Sequence, residues 1–207
     1  MRAFAPLLTV ALAGCSASPS PPTTPASEPA SRLGWPAPEH WRTETIAFPL
    51  EFAPDLPWRG FEELRFSPGM FDPAAPGYWS YAFIWWIEDK PGMPLAEVED
   101  GLRRYFAGLC AAVGGEKHRF DASRYRVALS PVAGGGGETR FGGTADLYDA
   151  FKTGQPITLR VSGRVVPCRA AGATAVVISA SPSSEAGDVW KTLREAQAAF
   201  QCPDAPL

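Results

Sequence analysis

An α+β domain is the fold this sequence predicts: a mainly antiparallel sheet of about seven strands with two covering helices, in the order βββ-α-ββββ-α. Three observations carry that reading. Short segments of alternating apolar and polar residues flank one long stretch of helical period, residues 94–113. A second amphipathic stretch, residues 185–201, closes the chain. The later strands are separated by short turn-like links, which favour hairpins and hence antiparallel pairing.

The elements follow in order. Ile46, Phe48, Leu50 and Phe52 alternate with smaller or polar residues, the period of a half-buried strand; Pro49 cannot donate to a ladder, so an edge position is expected. Leu64 and Phe66 alternate with Glu63 and Arg65 in a second strand, closed by the turn residues Ser67, Pro68 and Gly69. Residues 78–88 form the centre of the fold. Trp79, Tyr81, Phe83, Trp85 and Ile87 make one bulky face, and the other face is also largely apolar, as a central strand requires. Ser80 and Ala82 are small enough to admit a close helix.

The helix over 94–113 presents Leu95, Val98, Leu102, Phe106, Leu109 and Val113 on one stripe, with Pro94 at its start and Gly114-Gly115 at its stop. Tyr125, Val127 and Leu129 mark the next strand. Residues 138–148 and 156–166 read as a hairpin, and 173–180 as a short buried strand. In the last helix Val189, Trp190, Leu193, Ala196 and Phe200 share a stripe, with Ser183 or Ser184 as the expected cap.

The first fifteen residues carry a different signal. Met1-Arg2 is a positive start, residues 3–11 are a short apolar run, and Leu12-Ala13-Gly14-Cys15 ends it. This resembles the lipobox of bacterial lipoproteins. The run is too short to span a bilayer, which takes ~20 apolar residues. The resemblance implies that residues 1–14 are removed, that Cys15 carries a thioether-linked lipid, and that the new amino terminus is acylated. Two or more chains anchor stably where one does not. An ordinary cleaved signal peptide is the alternative. Residues 15–38, rich in Pro, Ser, Ala and Thr, read as a semi-extended tether, and residues 39–207 as a single domain. Ser16, in place of Asp, resembles the outer-membrane sorting pattern of Gram-negative lipoproteins, so an exported, lipid-anchored protein is expected.

Composition narrows the partners. With 19 basic and 22 acidic residues the chain is mildly acidic, which argues against nucleic acid. Of the cysteines left after Cys15, Cys168 and Cys202 are the favoured disulfide in an oxidising compartment, and Cys110 lies on the apolar stripe of the first helix; three reduced thiols are the alternative.

No catalytic motif is present, and no cofactor or metal is expected. His40 and His118 fit no ligand spacing, no GxSxG elbow exists, and the glycines at 134–137 lack the lysine and hydroxyl of a phosphate loop. Glu62 and Glu63, adjacent on a strand, face opposite ways; Glu88-Asp89 at a strand end and Asp146 and Asp149 near a hairpin tip read as solvated. The strongest binding signal is aromatic. Trp58, Tyr78, Trp79 and Trp86, with Arg65, could form a platform for sugar rings or a hydrophobic ligand, or could pack beneath the helices. The sequence therefore leads to a membrane-anchored envelope lipoprotein with a non-enzymatic domain that binds a ligand or partner. The alternative is an envelope glycan hydrolase with a carboxylate pair that spacing does not locate.

Overall fold

The computed structural model describes residues 31–114, 121, 124–134 and 138–207. Cys15, residues 1–30, His118 and the glycines 135–137 lie outside the described residues. Seven strands make one antiparallel sheet: β1 (Arg42–Ala47), β2 (Gly60–Phe66), β3 (Tyr81–Glu88), β4 (Arg126–Val132), β5 (Thr139–Tyr148), β6 (Pro156–Cys168) and β7 (Ala173–Ser181). Helix α1 (Leu95–Gly114) connects β3 to β4, and α2 (Asp188–Ala199) follows β7. The order is the βββ-α-ββββ-α that the patterning predicts.

Across the sheet the strands run β1-β2-β3-β7-β6-β5-β4. Two meanders, β1–β3 and β4–β7, are thus joined where β7 pairs with β3, Phe83 facing Ile178 and Trp85 facing Val176. Both strands are apolar on both sides because a helix covers each face. Under α1 lie Tyr81, Phe83, Trp85 and Ile87 with Val176 and Ile178. Under α2 lie Ala82, Ile84 and Trp86 with Ala175 and Val177. The period of two in a strand assigns these sets to opposite faces.

Aromatic rings dominate the α1 side. Phe83 stacks on Tyr105 at 5.4 Å with planes 7° apart, and Trp58 meets Trp85 at 4.8 Å. Such pairs are worth about 0.5–1.5 kcal/mol beyond their buried area. Two glycines let α1 approach this closely. A Cβ at Gly101 would lie 2.5 Å from the Trp58 ring, and one at Gly108 would lie 1.9 Å from the Phe52 carbonyl oxygen.

Several boundaries differ from the sequence reading. The first strand ends at Ala47, before the cis Phe48–Pro49 peptide, and Leu50 and Ala53 form only an isolated bridge. It is nonetheless an edge strand. Tyr78 and Trp79 precede β3 in a turn, with Trp79 at φ 49°. Helix α2 starts at Gly187, which has no side chain to cap with, so neither Ser183 nor Ser184 caps it. The Ser183 carbonyl instead accepts from Trp190 Nε1 at 2.9 Å.

The tether boundary also moves. Residues 31–38 were expected to be linker, yet Leu33 and Trp35 are buried against the α2 side of the sheet. A linker composition misleads here because two bulky side chains and four hydrogen bonds suffice to dock it. Trp35 Nε1 donates to the Ala196 carbonyl of α2 at 2.8 Å, and Glu63 accepts from Ser31 Oγ, Arg32 N and Leu33 N at 2.7, 2.6 and 3.1 Å. At the other end of the chain, a Cys168–Cys202 disulfide ties the segment after α2 to the end of β6, with Cα atoms 5.3 Å apart. Cys110 is a buried free thiol whose Sγ lies 3.3 Å from the Tyr148 carbonyl; burial pushes it up to about 11.

Candidate functional site

The structure places the tryptophans read as a platform or as core in the core. Trp79 and Trp86 are 0 % and 1 % exposed, and Trp58 is buried between Phe48 and Trp85. Trp86 packs under α2, as its register opposite Phe61 and Ala175 requires. Tyr78 is half-buried, and its hydroxyl donates to Asp149 Oδ2. Arg65, expected to face a ligand, is a buried internal cation. Its Nη2 pairs with Glu63 at 2.9 Å and donates to the Trp35 carbonyl at 2.6 Å, and its guanidinium lies 4.4 Å from the Trp35 ring. Trp58, Tyr78, Trp79 and Arg65 each find a polar partner within the fold, on Glu97, Asp149, Asp149 and Glu63.

Asp149 is the hub of one such network. Trp79 Nε1 donates to Oδ1 at 2.8 Å, and Thr153 N and Oγ1 each donate to Oδ2 at 2.6 Å. Phe151 N and Lys152 N reach Oδ1 at 3.2 Å. Burial works against the charge, but the donors from Thr153, Tyr78 and Trp79 outweigh it and hold the carboxyl at about 2. Sequence reading placed Asp149 near a hairpin tip as a solvated acid. It instead ties the β5–β6 hairpin to the turn before β3.

Glu62 differs. It is wholly buried beneath α1, where Trp85 Nε1 donates to Oε1 at 3.2 Å. Burial dominates and raises its pKa to about 8, with hydrogen bonding by Tyr105 and Trp85 opposing the shift. Its side chain is 0 % exposed, so it does not reach the surface of the described residues. Among the described residues, no group of three or more His, Cys, Asp or Glu could hold a metal ion, and no helix is long and apolar enough to cross a membrane.

The open site lies elsewhere. Helix α2 and the segment after it cover β3, β7 and the end of β6, where Val166 and Cys168 are buried, but leave the same face of β4, β5 and the first part of β6 open. Residues of even number on β5 and β6 point there, opposite Phe141, Ala145, Leu159, Val161 and Val165 in the α1 core. Alternation thus produces a polar face: Arg140, Gly142 and Thr144 on β5, and Arg160, Ser162 and Arg164 on β6. A groove of about 810 Å³ runs over it. Gly142 and Ser162, a directly opposed pair, form part of its floor; Arg194, Gln197 and Ala198 of α2 form one wall, and Val132 marks the far side.

Helix α2 runs alongside β6 in the same direction. Arg160 reaches the Pro182 and Ser183 carbonyls near the start of α2. Arg164 reaches the Gln197 and Phe200 carbonyls at its end, at 2.9 and 2.8 Å, filling acceptors that helix geometry leaves open. Gln197 Nε2 donates to the Ser162 carbonyl and Oγ, both at 3.0 Å, fixing wall to floor.

The charges run against the mildly acidic balance of the chain. Arg140 and Arg164 are directly opposed on neighbouring strands, an arrangement that costs stability unless compensated. Glu138 supplies the compensation, 2.5 Å from Arg164 and 3.7 Å from Arg140. Arg194 adds a third cation, and Glu185 is the other acid of the lining. The guanidinium of Arg140 remains about half exposed.

Sequence reading missed this groove. The outward face of the β5–β6 hairpin was legible as alternating Arg, Gly and Ser. What sequence does not give is which half of that face the last helix leaves uncovered. No family model matches the chain, and no curated protein and no solved structure is similar to it.

Proposed function

We propose that this protein is a lipid-anchored lipoprotein of the cell envelope whose domain binds a ligand or partner without transforming it, and that the arginine-bearing groove beside α2 is the binding surface. The observation that supports this most is the open face of β4, β5 and the first part of β6. Helices and docked chain cover the middle of the sheet, whereas this part carries opposed arginines with a Gly–Ser floor. Residues 31–35 enter on the same sheet face, so the tether would present the domain from the side that bears the groove.

Retention of the detergent-solubilised full chain on a cell-envelope preparation tests the reading. The combined change Arg140→Glu and Arg194→Glu should release the protein. Lys191→Glu, on the exposed side of the same helix, should not. Equal retention of both variants would remove the groove from consideration. Radiolabelled fatty acid should enter the parent chain and fail to enter Cys15→Ser.

Glycan hydrolysis is the second reading, because Glu138 and Glu185 line one groove. Glu138 would first have to leave Arg164. Release of reducing ends from an envelope glycan, lost in Glu185→Gln, would support it over simple binding.

A further inference from the structure

Resting on the groove as binding surface, we infer that its ligand is a carboxylate-bearing sugar chain laid over β5 along the wall that α2 makes. Three properties of the lining lead there. Stacking is absent: Phe141 and Phe200, the two aromatic residues of the lining, are 2 % and 3 % exposed, so a neutral glycan finds no ring to lie on. What reaches the groove is planar and polar: the guanidinium groups of Arg140, Arg164 and Arg194, the amide of Gln197, and the carboxylates of Glu138 and Glu185. Guanidinium forks bind carboxylates through two parallel hydrogen bonds, and the flanking acids accept from ring hydroxyls.

The backbone argues against an extended peptide. The floor is the interior of a sheet, where β5 and β6 pair along Thr139 to Tyr148, so no free strand edge is offered there for main-chain recognition. A sugar chain needs only side chains. The groove is also too large for one small anion; its volume lies in the range of sites that enclose a whole organic ligand. A ligand carboxylate placed against the half-exposed guanidinium of Arg140 would add to the role of Glu138, relieving the repulsion of the opposed pair.

Calorimetric titration of the full chain in detergent tests this with an oligogalacturonate hexamer, its methyl ester, and poly-glutamate. The free-acid oligosaccharide should bind at least about tenfold more tightly than the ester or poly-glutamate. Arg140→Gln with Arg194→Gln should remove that preference at unchanged melting temperature, and Lys191→Gln should keep it. Ester binding as tight as the acid would overturn the inference. So would poly-glutamate binding as tightly, which would leave a groove that reads charge alone and the binding-surface reading intact. Absence of groove-dependent binding by all three probes would overturn the inference. If Arg140→Glu with Arg194→Glu were also retained on envelope, the binding-surface reading would fall with it.

Discussion

Glu62 and Glu63 are neighbours in sequence, both wholly buried, and separated by the thickness of the sheet. One lies under α1 beside Trp85; the other lies beneath the docked N-terminal segment, paired with Arg65. Their fates differ because only Glu63 has a cation and backbone donors. Each gives a separate expectation.

Glu63→Gln should cost about 3–5 kcal/mol, since it leaves Arg65 buried beside a neutral partner. It should also loosen the docked segment, read as faster tryptic cleavage after Arg32. Replacing both partners, Glu63→Leu with Arg65→Met, should recover stability yet leave cleavage fast. The backbone donors of Arg32 and Leu33 would still lack their acceptor. Unchanged cleavage in both variants would show that Trp35 and Leu33 alone hold the segment.

Glu62→Gln should stabilise the protein in a pH-dependent manner. The folded-state pKa is raised to about 8 from an ordinary 4.5, so the unfolded chain ionises first as pH rises. Wild-type stability from this group is therefore full below 4.5 and declines until about 8. The advantage of Gln should grow across that window and level off above it. Urea unfolding at several pH values checks this; a constant difference would contradict it.

Asp149 predicts the opposite limb. Its folded-state pKa, about 2, lies below the ordinary 3.8, so its contribution is present above 3.8 and is lost as pH falls toward 2. Asp149→Asn should destabilise at neutral pH by about 2 kcal/mol, the scale of hydrogen bonds to a charged acceptor. Its thermal stability should then be flatter than that of wild type between those two pH values.

Gly108→Ala separates propensity from packing. Alanine in a helix interior gains about 1 kcal/mol over glycine. Here its Cβ would lie 1.9 Å from the Phe52 carbonyl oxygen, a backbone atom that cannot rotate away. The variant should be less stable by about 1–3 kcal/mol. A raised melting temperature would mean that α1 shifts freely over residues 50–53.

The fold was legible because its signals are local. Period two in Tyr81–Glu88 and period 3.6 over α1 each need only a window of residues, and hairpin links set antiparallel order. The site was not legible because it depends on distant placement. Arg65 and Trp79 look like surface chemistry until Glu63, Trp35 and Asp149 are seen to satisfy them. The docking of residues 31–35 rests on contacts thirty or more residues away. The groove depends on where α2 stops covering the sheet, and no periodicity encodes that limit.

The central position of β7 also bears on how the molecule assembles. A chain that emerges amino end first completes β1, β2 and β3 long before Ala173–Ser181 is available to pair with Tyr81–Glu88. Until then, the most aromatic strand is an open edge, and its face of Ala82, Ile84 and Trp86 still lacks α2, the kind of surface on which other chains collect. The decisive closure joins segments about ninety residues apart, which makes it late and slow. Folding yield should therefore depend on how soon the last third of the chain follows β3.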